Sequence, residues 1–308
     1  MRIATYSHDG RTRCGLVDGD TIRPLPDGVG PLNVPAGART GEPVPLAQVR
    51  LLPPVEPPSV RDHVTFEEHV EGVRRSVEGR GGVPGAWYDA PAFYFGNPHA
   101  MIGAYDDVPV PPGCHAFDFE LEVAAVIGEE GADLTPERAR DHIYGYTVFN
   151  DWSARDLQSR EMQVGLGPCK GKDTATTLGP WLVTADELEP YRDADGFLRL
   201  ALSVRVNGTE VGRDLLSNMS WTFEELVAYA SRGTRVRPGD VLASGTCGNG
   251  GCLAELWGLR GRQDPPPLRP GDTVEITVEG IGTVRNTVVA GADPVPLPRA
   301  RSRPRHRP

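Results

Sequence analysis

Hydrophobic and polar residues alternate with a period of two over much of the chain, most clearly from residue 117 onward. That period sends successive side chains to opposite faces of a strand. It predicts strands in FDFELEVAAVIG, IYGYTVFN, PWLVTA, LRLALSVRV, DVLASGT, LAELWG, DTVEITVEG and GTVRNTVV. Asn207-Gly208, between LSVRV and TEVG, is the signature of a two-residue hairpin turn. Helical spacing is found in VTFEEHVEGVRRSV, TPERARDHI and SWTFEELVAYASR. In the first of these Phe66, Val70, Val73 and Val77 form an apolar stripe, and Thr65 and Glu68 have the spacing of a capping box. Residues 80–100 read as irregular, and LLPPVEPPSV, with four prolines, reads as a linker. Ahead of it, RIATY and CGLVDGDTIRPL are short strands set between Gly/Asp turns. The expected architecture is β-rich α+β: a small β domain over 1–55, a main domain over 56–292, and a tail over 293–308. The tail is basic, proline-rich and without core-forming residues, so it is expected to be disordered.

Composition narrows the function. The chain has 308 residues, 39% of them hydrophobic, which is enough for a sizeable core. A net charge of -10 argues against a nucleic-acid partner, which wants a basic stripe. The five cysteines are scattered, with no CxxC pair, which fits free thiols in a reducing, cytoplasmic setting. The opening residues lack the apolar stretch of a signal peptide. No apolar run approaches the ~20 residues of a membrane helix.

Four stretches carry candidate chemistry. In FDFELEV the alternation puts Asp118, Glu120 and Glu122 on one face. That face is either the exposed side of an edge strand or a set of oxygen ligands for a hard cation such as Mg²⁺, Ca²⁺ or Mn²⁺. In NDWSARDLQ a helix starting at Asp151 would put Asp151, Arg155 and Gln158 on one face. The segment is either an ordinary polar helix start or a metal ligand followed by two grips on substrate oxygens. His69 falls on the apolar side of its helix, with Asp62 just before that helix, and reads as a core histidine or a reactive one. In LASGTCGNGGCLAEL, Glu255 stands within an apolar strand pattern, where burial is costly without a partner. The glycines before it let a backbone approach a ligand closely.

In this order, FELEVAAVIG, NDWSARDLQ, LGPCKGKDTATTLGPW and SGT with a later AEL resemble the fumarylacetoacetate hydrolase family over most of residues 60–290. The resemblance implies a mixed β-sandwich roll with a small N-terminal β domain, and a homodimer. It implies that Asp62, Glu120, Glu122 and Asp151 hold a divalent cation, Mg²⁺ above all, with Ca²⁺ or Mn²⁺ as alternatives. It makes His69 the residue that activates water and Glu255 the residue that orients it. Arg155, Gln158 and Lys172 would polarise substrate oxygens, with Thr246 and Tyr94 contacting the substrate. The implied activity is hydrolysis of a C–C bond in a β-diketo acid, of the fumarylacetoacetate or acylpyruvate kind met in aromatic catabolism, by His-activated water and a metal-stabilised enolate. The alternative is decarboxylation, isomerisation, hydration or lysis of a 2-oxo acid on the same site. Two departures matter. Val64 stands where the family has a tyrosine, which changes the pocket wall. Gly72 stands where short family members pair a glutamate with the histidine, which favours the long arrangement with Glu255.

Overall fold

The computed structural model describes residues 1–305. Its principal strands are β1 (Arg2–His8), β2 (Arg11–Asp18), β3 (Thr21–Pro24), β4 (Val60–His63), β5 (Phe93–Gly96), β6 (Leu121–Ile127), β7 (Ile143–Asp151) and β8 (Thr176–Thr184), then β9 (Ala201–Val206), β10 (Thr209–Leu215), β11 (Val241–Ala243), β12 (Thr273–Val278) and β13 (Gly282–Val289). The longer helices are α1 (Glu67–Val73), α2 (Arg155–Met162), α3 (Phe223–Ser231) and α4 (Leu253–Arg260).

One sheet of twelve strands runs β3-β2-β1-β8-β7-β6-β11-β4-β5 through its principal members, and a second runs β10-β9-β12-β13. Most neighbours are antiparallel, but β11 and β4 pair in parallel, with Ala243 opposite Asp62. The sheet is therefore mixed. Strand β6 is buried along its whole length. Its odd positions, Val123, Ala125 and Ile127, join a core shared with Leu202, Val204, Ile276 and Val284 of the second sheet. Its even positions, Ala124 and Val126, join a smaller core with Val60 and Phe149. A strand with apolar neighbours on both faces explains the unbroken AAVI run.

FDFELEV is not the polar edge of a sheet: Asp118, Glu120 and Glu122 are all buried. LAELWG is not a strand but the start of α4, because an apolar run this short does not distinguish a strand from a buried helix. FYFG, expected to be irregular, forms β5 against β4. Thr65 makes no capping box; its hydroxyl donates to the Ser244 carbonyl at 2.6 Å, and Phe66 is the N-cap of α1. The capping box lies instead at Thr222 and Glu225, ahead of α3. The N-terminal strands do not form a separate sheet: β1 pairs with β8, Arg2 opposite Val183. They keep small cores of their own, one of them around Ala4, Tyr6, Ile22 and Leu51.

The Asn207-Gly208 turn is as expected, both residues having positive φ, between β9 and β10. All five cysteines are free. No helix among the described residues is long and apolar enough to cross a membrane. Residues 291–305 are exposed and carry no helix or strand. The last three residues of the tail, 306–308, lie outside the described residues.

Candidate active site

Register brings the acids together. Asp62 on β4 lies opposite Tyr94 on β5, so both side chains leave the sheet on the same side. Glu122 is the second residue of β6, and Glu120 precedes it by one strand period. Asp151 ends β7. Ligand atoms of Asp62, Glu120 and Glu122 lie within 4.8 Å of one another. Asp151 is tied to them by the Tyr94 hydroxyl, which lies within hydrogen-bond distance of Asp62 Oδ2, at 2.7 Å, and of Asp151 Oδ2, with one proton to share between them. Lys172 Nζ bonds Glu120 Oε2 and lies 2.8 Å from Asp151 Oδ2.

Glu122 is fixed by the turn after β11. Gly245 N–H donates to one of its oxygens at 3.1 Å, and the Thr246 hydroxyl to the other at 3.2 Å. Gly245 has a φ of +80°, and a Cβ there would lie 2.5 Å from the His63 carbonyl. This is the close approach that the SGT glycine permits.

Asp151 does not begin a helix, as the spacing suggested; α2 starts at Arg155, after the short strand Ser153–Ala154. Arg155 and Gln158 do share a helical face. Arg155 is bound on every side: Nε to Asp118 Oδ2 at 2.8 Å, Nη1 to Gln158 Oε1 at 3.0 Å, Nη2 to Glu120 Oε1 at 2.8 Å. It organises the site, and the Gln158 amide N–H groups are left to donate to a ligand.

Asp118 is the third carboxylate of FDFELEV, and it does not join the cluster. It receives the N–H groups of Leu253 and Ala254 at 2.8 and 3.0 Å, at the start of α4. One buried residue thus holds both Arg155 and the helix that carries Glu255. The alternation in FDFELEV made its inward direction legible; nothing in the sequence pointed to its partner helix.

On α1, His69 is buried, with Nδ1 3.8 Å from Glu255 Oε2 and 3.8 Å from Cys252 Sγ. Glu255 Oε1 accepts Gly250 N–H at 3.0 Å, while Oε2 is buried without a hydrogen-bond partner among the described residues. That free oxygen sits on the His69 side. Gly72 lets the two helices meet: a Cβ there would lie 2.5 Å from Glu255 Cγ. A glutamate at position 72 and Glu255 therefore cannot occupy this space together.

Electrostatics follow from crowding. Burial, then the neighbouring carboxylates, hold Asp62 and Glu122 well above the usual carboxylate range. Asp151 is also raised, by burial first, with Lys172 opposing. Burial works the same way on Glu120, but Lys172 and Arg155 outweigh it and pull its pKa below the ordinary value. Burial disfavours charge on Lys172 as well, yet Asp151 and Glu120 raise its pKa and keep it a cation.

Four buried carboxylates thus face two buried cations, one of which also answers Asp118. Asp62 Oδ1 is buried with no hydrogen-bond partner among the described residues. An all-oxygen donor set with excess negative charge and an orphaned carboxylate oxygen fits a hard divalent cation.

A cavity of about 360 Å³ opens over this centre. Asp62, Tyr94, Glu120, Glu122, Arg155, Gln158, Lys172, Thr246 and His69 all line it, with Glu255 behind His69. The geometry gathers the residues implied by the resemblance around this cavity, Asp151 joining through Tyr94 and Lys172, and Glu255 through His69, without lining it.

Fold and site together define a β-rich enzyme-like scaffold whose sheet presents a carboxylate cluster beside a His-Glu pair. Residues 59–289 match the family described as fumarylacetoacetate (FAA) hydrolase, C-terminal, and residues 1–54 match the Rv2993c-like N-terminal family. The chain belongs to the fumarylacetoacetate hydrolase family. It is 36% identical over 171 residues to the oxaloacetate tautomerase YisK of Bacillus subtilis, covering 56% of this chain and 52% of that protein. Its fold superposes on a 5-carboxymethyl-2-hydroxymuconate delta-isomerase from Mycobacterium smegmatis with a TM-score of 0.71 at 29% identity, covering 94% of this chain and 100% of that one. It matches a fumarylacetoacetate hydrolase from Exiguobacterium antarcticum with a TM-score of 0.74 at 26% identity, over 94% and 100%.

Proposed function

We propose that the protein is a divalent-metal-dependent hydrolase that cleaves a C–C bond in a β-diketo acid such as an acylpyruvate. The observation that carries this reading is His69 facing the same cavity as the carboxylate cluster, with Glu255 behind it. A pair of this kind is the arrangement of a general base and its orienting group.

A divalent cation held by Asp62, Glu120, Glu122 and Asp151, Mg²⁺ in the first instance, would supply Lewis-acid polarisation of a substrate carbonyl. His69, oriented by Glu255, takes a proton from water. The hydroxide oxygen adds to the carbonyl carbon of the acyl group. The bond from that carbon to the neighbouring CH₂ breaks, and its electron pair stays with the departing 2-oxo acid as an enolate. The enolate takes up a proton, so one water enters and two acids leave. The Lys172 ammonium and the Gln158 amide are fixed donors for charge developing on substrate oxygens. Arg155 holds Gln158 and Glu120 in place.

A second reading is favoured by the Bacillus relative, whose name is that of an oxaloacetate tautomerase. There His69 would shuttle a proton between carbon and enol oxygen, with no water consumed. The two are separated by following the ultraviolet enol band of acylpyruvates, fumarylacetoacetate and oxaloacetate with Mg²⁺, Mn²⁺ or Ca²⁺, and weighing the products. Hydrolysis gives two acids whose masses sum to substrate plus water, and both EDTA and His69→Ala abolish it. A product isomeric with substrate, or release of carbon dioxide, rules hydrolysis out.

A further inference from the structure

The cavity has two ends of different character. The inner end is the charged centre. The outer end is formed by Val64, Val70, Val73, Trp87 and Met162, with Pro84 and Pro168 at its loops. Among the described residues, Arg74 is the only cationic side chain lining this outer part, and it is already engaged. Its Nε donates to Glu78 Oε2 at 3.2 Å, and its Nη1 to the Gly82 carbonyl at 2.5 Å. Glu78 lines the cavity beside it, so the pair brings no net charge.

Trp87 is a rigid wall. Its indole N–H donates to the Val64 carbonyl at 2.7 Å, and its ring meets Tyr88 and Trp221 edge-on, both at 4.9 Å. An indole locked in this way offers apolar area at little entropic cost on binding. It has no donor left for a ligand, because its N–H is spent.

We propose that this outer end takes an uncharged, apolar acyl arm of the substrate, with Trp87 as its principal wall. The inference rests on the hydrolase reading for the chemistry, and deepens it by naming the substrate class: a 2,4-dioxo acid whose distal group is alkyl or aryl. A second carboxylate there would lose its hydration and find no free cation, a desolvation that an apolar wall cannot offset. Oxaloacetate, a four-carbon dicarboxylate, has no arm to fill the space.

The test uses the full chain loaded with Mg²⁺ and two 2,4-dioxo acids of equal length. One ends in an alkyl or phenyl group, the other in a carboxylate. Affinity is read by calorimetry and turnover by loss of the enol band. The apolar-ended compound is expected to bind at least ~10-fold tighter, the scale of discrimination an apolar pocket gives. Trp87→Ala is expected to erase that preference while leaving the affinity for pyruvate unchanged, and Met162→Lys to shift it toward the carboxylate-ended compound. Tighter binding of the apolar compound without cleavage would refute the hydrolase reading and leave the substrate class standing. Equal affinity, including no measurable binding of either, or preference for the carboxylate, overturns the inference whichever compound is turned over. The comparison on the unaltered protein decides the matter even where Trp87→Ala fails to fold.

Discussion

Glu255 and Asp118 are both buried acids, one with a free oxygen and the other with none. Glu255 keeps Oε2 uncommitted beside His69. Glu255→Gln preserves the side-chain volume and removes the charge that steadies a protonated His69. It is expected to lower kcat by ~10²-fold or more with little change in KM, as loss of a general base's support does. Steady-state kinetics on an acylpyruvate check this; an equal fall in affinity would place Glu255 in substrate binding instead. Asp118 has four contacts: Arg155, the start of α4 twice, and its own neighbour Phe119. Asp118→Ala leaves the buried Arg155 guanidinium one partner short, a change of ~3–5 kcal/mol for a broken buried pair. Chemical denaturation should show that loss; a loss below ~1 kcal/mol would mean the site tolerates a free guanidinium.

At the scale of elements, the crossing of α1 and α4 sets the distance between His69 and Glu255. Two glycines allow it. A Cβ on Gly258 would lie 1.9 Å from the Gly72 carbonyl, closer still than the Gly72-Glu255 approach. Gly258→Ala is expected to cost ~1–3 kcal/mol of stability through overpacking and to lower activity as the helices part. A variant with unchanged melting and unchanged kcat would show that the crossing has slack. This contact was not legible in the sequence. Residues 72 and 258 are far apart along the chain, and LAELWG read as a strand because six residues cannot reveal a helical period. Strands β9, β12 and β13 were legible because each keeps its period over six residues or more, and β6 and β7 because each is a bounded, largely apolar run. The direction of Asp62 was not, because β4 spans four residues and its alternation is too short to read; it came from the family pattern. Arg155 carried a visible charge and a legible spacing to Gln158 on its own helix, but not its ion partners, since Asp118 and Glu120 lie 37 and 35 residues away and meet it only in the fold.

At the scale of the whole molecule, the sheet concentrates like charges that the fold alone leaves in tension. Asp62, Glu122 and Asp151 have raised pKa values. As pH rises past the ordinary carboxylate range, about 4, the unfolded chain gives up these protons before the folded one does. Their contribution to stability is therefore full below that range and is lost as pH rises, in the metal-free protein. Cation binding requires the ionised forms, so affinity climbs over the same interval. Melting curves with Mg²⁺ and with EDTA should diverge increasingly as pH rises above the ordinary carboxylate range. A constant gap would mean that these carboxylates do not hold the cation.

The most direct test of hydrolysis is to run the Mg²⁺-loaded enzyme on an acylpyruvate in ¹⁸O-labelled water and weigh the products. One labelled oxygen in the released carboxylic acid, absent with His69→Ala, is the expected result. An unlabelled isomer of the substrate, or carbon dioxide with the carbon chain otherwise intact, would contradict water attack at this site.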